Sequence, residues 1–166
     1  APGVMDFTTA SPQAVSDIYV VNAAMSFLSM LGNINAANID EQYKRLASFM
    51  SPALRVQFEV EVAEWREIVK NENISEILRI TDREVLATNE GFYKVTALSS
   101  RERYSNSESL GHIEEVIEMT LRLVPPVKGK EWYLEITAMK RSHADGFKGG
   151  TPKAGYPKAV KPVAGH

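Results

Sequence analysis

An α+β domain, with three N-terminal helices packed on one face of a curved antiparallel sheet, is the fold class this sequence predicts. The apolar period is 3.6 residues up to about Asn71 and changes to 2 from Ile74 onward. Two Ser-Pro pairs, Ser11-Pro12 and Ser51-Pro52, offer a capping hydroxyl and a proline where its missing N–H costs nothing. The stretch from Ile18 to Leu31, IYVVNAAMSFLSML, is apolar on nearly every face apart from Asn22, Ser26 and Ser29, so most of it must be covered.

The first helix is expected from about Pro12 to Leu31. The apolar stretch would rise only about 21 Å, short of a hydrocarbon core of roughly 30 Å, so it reads as a core helix and not a membrane span. Its surplus apolar face would sink into the domain or meet another subunit. Gly32 and the cluster Asn33, Asn35, Asn38 should stop it in a left-handed conformation. A second helix starts at Asn38 or Asp40 and turns Tyr43, Leu46, Ala47 and Met50 inward. The third runs from Ala53 to about Asn71, with Val56, Val60, Ala63 and Ile68, joined by Phe58 and Trp65, on its inner side. Glu59, Glu61, Glu64 and Glu67 then form a solvated outer side.

Strands are expected from Glu76 to Ile80 and from Glu84 to Thr88, followed by a turn at Asn89-Glu90-Gly91 into a strand from Phe92 to Tyr104. The serine-rich run from Asn106 to Gly111 reads as the next turn. From Ile113 to Val124 the chain alternates Ile117, Met119, Leu121 and Leu123 with Glu118, Thr120 and Arg122. Pro125 to Lys130 is a loop, and a last strand runs from Trp132 to near Lys140. Residues 1–142 therefore read as one domain. Residues 143–166, dominated by Gly, Pro, Lys and Ala, read as a flexible tail that buries too little to offset the entropy of ordering it. Helices followed by a strand meander give the cystatin-like, nuclear-transport-factor-like cone, whose concave mouth is where chemistry would sit.

Composition excludes several kinds of chemistry. The chain has 166 residues, a formal net charge of −2 and no cysteine, so it offers no bulk field for a polyanion, no thiolate, no disulfide and no cysteine-based zinc site. The tail lysines Lys148, Lys153, Lys158 and Lys161 are interleaved with only Phe147 and Tyr156, so base stacking is poorly served and no direct nucleic-acid partner is expected. The start at Ala1-Pro2-Gly3 suits an excised fragment as well as a processed protein; an anchor preceding it would be invisible here.

Of the three histidines, none stands near a nucleophile elbow or a spaced carboxylate, and no pair has metal-ligand spacing. No cofactor or metal is expected. The enzymatic alternative is a small-molecule binding protein or isomerase using the cone's mouth, as ketosteroid isomerase does, with Tyr43, Tyr93, Tyr104 or Tyr133 beside Glu115 or Glu135. Glu115 interrupts the apolar row of Ile113, Ile117 and Met119. Buried there it would have a raised pKa; the favoured reading is that the strand bulges at Glu114-Glu115 and leaves both in water. An open pocket of several hundred cubic ångström around a buried Glu or Tyr would support the enzyme.

The run Asn35-Ala36-Ala37-Asn38-Ile39-Asp40, then Tyr43, Leu46 and Phe49-Met50-Ser51-Pro52, and later Lys70-Asn71-Glu72-Asn73-Ile74-Ser75, resembles the TraE family of conjugative type IV secretion systems over about Val15 to Lys140. The resemblance implies the periplasmic domain of a bitopic inner-membrane subunit without catalysis. It would self-associate weakly, bind other channel or pilus subunits in an assembly role, and touch the membrane only through an anchor absent from this chain. Related subunits use an Asn-Pro-x-Gly loop before the last strand for self-association; here Val124-Pro125-Pro126-Val127-Lys128-Gly129 lacks the Asn and has one extra residue before the Gly. The interface candidates are Tyr19, Asn22, Met25, Ser26 and Ser29 on the first helix, with Pro125, Pro126 and Gly129 in the loop.

Overall fold

Residues 16–88 and 91–144 are described by the computed structural model. Helix α1 (Asp17–Gly32) leads into a two-residue strand β1 (Ile34–Asn35), then α2 (Ile39–Ser48) and α3 (Pro52–Asn71). Four long strands come after them: β2 (Ile74–Ala87), β3 (Phe92–Ser105), β4 (Glu108–Leu123) and β5 (Leu134–His143). They pair antiparallel in the order β1-β2-β3-β4-β5, a curled sheet with the helices on its inner face, as the fold class required.

Local chemistry sets the helix ends. Ser16 is extended and its hydroxyl accepts from Tyr19 N at 3.3 Å, so α1 starts at Asp17; the Ser11-Pro12 signal lies outside the described residues. Gly32 ends α1 for a different reason than a left-handed cap. A Cβ there would stand 2.6 Å from Leu78 Cβ, so glycine is what lets α1 lie directly on β2. Asn33 caps α1, its N–H donating to Ser29 O at 2.9 Å, and its Oδ1 ties the helix end to β2 by accepting from Leu78 N at 2.7 Å, while Asn35 Oδ1 forms the turn into α2 by accepting from both Ala37 N and Asn38 N at 2.8 Å. Ser51 caps α3 with Pro52 behind it, as expected.

Helix α3 is rotated from its predicted orientation. Phe58, Val62, Trp65 and Val69 face the sheet, while Val56 and Val60 are 65% and 74% exposed and Ala63 also points outward. The helix has two apolar stripes, and the one that carries the aromatics wins because it buries more area. The two short strands expected between Glu76 and Thr88 are one strand with a bulge between Ile80 and Asp82. The β3–β4 turn is only Asn106-Ser107, both at positive φ, so β4 begins at Glu108. Strand β5 begins at Leu134, and Ala144 beyond it is fully buried. Part of the 89–91 turn, and the tail from residue 145, fall outside the described residues.

Candidate functional site

The first candidate surface joins α1 to the proline loop. Tyr19 packs edge-on against Trp132 (centroids 5.3 Å apart), and its hydroxyl oxygen accepts from Tyr133 N at 2.7 Å. The helix thus meets, at Tyr19, the segment that follows the proline loop. Next to it Ile18 is 73% exposed, and Tyr133 and Val127 are exposed as well. Asn22 and Ser29 are exposed, whereas Met25 and Ser26 are half-buried and Met25 packs on the core. Ser29 is engaged in the helix end, its Oγ accepting from Asn33 Nδ2 and its carbonyl from Asn33 N. Pro125 and Pro126 are exposed; Gly129, at φ 89, supplies the left-handed corner of a turn closed by Lys130 N to Val127 O at 3.0 Å. Lys130 donates to Ser48 O and lies 4.9 Å from the Phe49 ring centroid, and Glu131 pairs with Arg45 at 2.9 Å, so the loop is tied to the end of α2.

A second site is buried. On β3 the inward row Tyr93, Val95, Ala97 continues as Ser99, Arg101, Arg103, all buried. Arg101 approaches Glu76 of β2 at 3.6 Å and Glu115 of β4 at 3.3 Å. Arg103 donates from Nε to Glu76 at 2.7 Å, and its guanidinium also lies 4.2 Å from the Trp65 ring centroid. Arg141 of β5 donates to the other Glu115 oxygen at 3.0 Å. Three guanidiniums and two carboxylates, drawn from four neighbouring strands, form a closed network beneath α3. Glu115 is only 2% exposed, which overturns the reading that placed it in water: the strand holds its alternation, and the arginines make burial tolerable. Burial still pushes the Glu115 carboxyl above its ordinary value, against the pull of the Arg101 guanidinium.

The tyrosine and glutamate candidates for catalysis do not converge on an open mouth. Tyr93 is buried near the start of α1, Tyr133 is exposed, Tyr104 donates to Glu102, and Glu135 pairs with Arg122 on the sheet's outer face. Tyr43 is buried, its phenol pushed strongly up by burial and by Glu76. Its ring borders a groove of about 610 Å³ between α2 and α3, together with Ala47, Phe58 and Val62 and the cations Lys44, Arg55 and Lys130. The hydroxyl is sealed from that groove, so no reacting atom of Tyr43 faces it. Arg55 closes α2 by donating to Ala47 O and Met50 O. Among the described residues no group of His, Asp and Glu has the makings of a metal site, and no helix is long and apolar enough to cross a membrane.

Sequence reasoning missed Glu76, Arg101, Arg103 and Arg141. The signal was present: counting by twos from Tyr93 and Val95 reaches Arg101 and Arg103 on the same inner face.

No protein-family model and no curated protein matches the sequence. Solved structures do match by shape. An IcmL-like type IV secretion system protein from Legionella pneumophila superposes with a TM-score of 0.67 at 10% identity, covering 84% of this chain and 95% of that one. The periplasmic domain of DotI gives 0.65 at 16% identity over 77% and 96%. TraE protein in complex with 2-(2-furyl)isonicotinic acid gives 0.62 at 8% identity over 78% and 98%. At such identities the likeness is one of fold. It is shared across secretion components and does not single out TraE among them.

Proposed function

We propose that this chain is a non-enzymatic scaffold domain of a type IV secretion apparatus, placed on the periplasmic face of the inner membrane, where it binds copies of itself and other channel or pilus subunits. The observation that carries this reading is that almost the whole of the DotI periplasmic domain, 96% of its length, shares the fold. The filled cone supports it too: Phe27, Leu28 and Leu31 of α1 are buried with Val95, Met119 and Ile136 where a substrate pocket would otherwise lie. Within the TraE resemblance, the contact surface comprises Ile18, Tyr19 and Asn22 of α1, Tyr133, whose N–H donates to the Tyr19 hydroxyl, and Pro125 and Pro126 of the preceding loop.

Sedimentation across a dilution series tests it. Self-association is expected to weaken in Ile18→Arg, whose side chain is exposed, while the folded spectrum stays unchanged; Met25→Arg would also strain the core. Equal association in wild type and Ile18→Arg removes this surface from the proposal.

The α2–α3 groove favours a second, narrower reading, a site for small aromatic carboxylic acids, since Lys44 and Lys130 line it along with Tyr43 and Phe58. TraE was solved with such a compound. Titration of 2-(2-furyl)isonicotinic acid into the labelled protein should shift Lys44 and Phe58 amides; shifts confined elsewhere reject the groove.

A further inference from the structure

Helix α3 has a face that the domain leaves uncovered. Ala53, Val56, Val60 and Ala63 succeed one another at three- and four-residue steps and all are exposed, opposite the buried stripe of Phe58, Val62, Trp65 and Val69. The two borders of this outer stripe differ in sign. Toward α2 stand Arg55, Glu59, Arg66 and Lys70, a net positive border in which Arg66 and Lys70 pair with Asp40, and the stripe itself ends at the exposed Glu67, which pairs with Lys70. Toward β5 stand Gln57, Glu61 and Glu64. Glu61 accepts from Gln57 at 3.0 Å, and among the described residues neither Glu61 nor Glu64 has a cationic partner.

The chain leaves the described domain on that acidic side. Met139 and Arg141 of β5 border a small cleft with Leu54, Gln57, Phe58, Glu61 and Val62 of α3, and Ala144, three residues on, is buried. The sequence then continues through residues 145–166, with Lys148, Lys153, Lys158 and Lys161, no acid after Asp145, and apolar Phe147, Tyr156, Val160 and Val163 between them. The 20 residues of α3 span about 30 Å, and this segment, extended, reaches about 70 Å, so it can track the helix along its whole length.

We propose that the outward face of α3 is a docking surface for the Lys-rich segment of the same chain, residues 145–166, whose lysines meet Glu61 and Glu64 while its valines and aromatics cover Val56 and Val60. The segment is tethered at the edge of its own site, so its effective concentration there is high and modest contacts suffice. A partner subunit with a basic, apolar face would have to displace it.

Because the chain has no cysteine, a single nitroxide label at Ala159→Cys reports its neighbours cleanly in the full chain. Amide signals of residues 56–67 are expected to be strongly attenuated in dilute protein. They should recover when Glu61→Lys and Glu64→Lys are combined, or when about 1 M salt shortens the Debye length to roughly 3 Å. Unattenuated signals on α3, or attenuation indifferent to both charge reversal and salt, overturns the proposal. So does attenuation in mixed samples where only a second copy carries the label, because the occupant is then another molecule.

Discussion

The inward row of β3 changes character halfway along. Tyr93, Val95 and Ala97 meet the apolar side chains of β4, β5 and α1, whereas Arg101 and Arg103, on the same face of the same strand, meet Glu76, Glu115 and Trp65 beneath α3. The neighbouring strands repeat the division, Met119 and Leu121 against Glu115 on β4, Leu134 and Ile136 against Arg141 on β5. The apolar end is held by area and shape, which any hydrophobe of suitable volume supplies in part. The ionic end is held by mutual neutralisation, in which each group's burial is tolerable only because the others are present. One end should therefore fail gradually and the other all together.

The largest expected effect tests that difference. Glu76→Met alone leaves Arg101, Arg103 and Arg141 buried against the single carboxylate of Glu115 and should cost about 3–5 kcal/mol in urea unfolding. Replacing the whole network by apolar residues of similar volume should recover most of that loss, or exceed wild type. At the other end Phe27→Ala, which empties the contact with Phe49 at 4.9 Å, should also cost about 3–5 kcal/mol. It has no comparable rescue by deleting a neighbour. Equal additivity at both ends would dissolve the distinction.

Next in size is the seam where α1 lies on β2. Gly32→Ala puts a methyl 2.6 Å from Leu78 Cβ and should destabilise by about 1–3 kcal/mol in thermal or urea unfolding. Shortening the neighbour by Leu78→Ala should not restore stability, since the nearest atom is a Cβ that alanine keeps. Full restoration would mean that the helix can slide on the sheet.

These positions also mark what the sequence made legible. Among the described residues, periodicity located the three helices and the four long strands, with β2 divided into two short ones, because a change from 3.6 to 2 needs no tertiary information. The face of α3 was misread because Val56, Val60 and Ala63 satisfy the helical spacing as well as Phe58, Val62 and Trp65 do; only the volume left over the sheet decides between them. The chain named Glu115 as an anomaly, but its partners come from strands 14 and 26 residues away, so neutralisation was invisible in local sequence. Gly32 looked like an ordinary helix stop because its neighbour, Leu78, is distant along the chain. The interface candidates Tyr19 and the loop were read separately, and it took Trp132 to join them.

A smaller effect concerns the proton balance of the ionic end. Burial raises the Glu115 pKa above 4.5, so in the window from 4.5 up to the raised midpoint the folded chain binds more proton than the unfolded chain. Stability attributable to Glu115 is then fully present below the unfolded value and declines as pH rises through that window. Glu115→Gln, which keeps an acceptor for Arg141, should flatten this part of the curve when melting temperature is followed against pH. A wild type that instead gains on the variant as pH rises would show that the arginines outweigh burial.

The smallest expected effect lies on the surface, where water does what the network does inside. Asp40 of α2 accepts from Arg66 Nε at 2.9 Å and from Lys70 Nζ at 3.1 Å, linking two helices, but its side chain is 52% exposed. Those hydrogen bonds, Lys70 first and Arg66 next, lower its pKa below 3.8, so the contribution is present above that value and is lost as pH falls through the lowered midpoint. Exposure and mobile ions screen it, and Asp40→Asn should cost less than about 1 kcal/mol at neutral pH and low salt. The cost should fade in about 1 M salt, where the Debye length is roughly 3 Å, while that of Glu76→Met stays. If Asp40→Asn cost as much as breaking the buried network, and kept that cost in salt, then pairing and not burial would set the price of losing a charge in this domain.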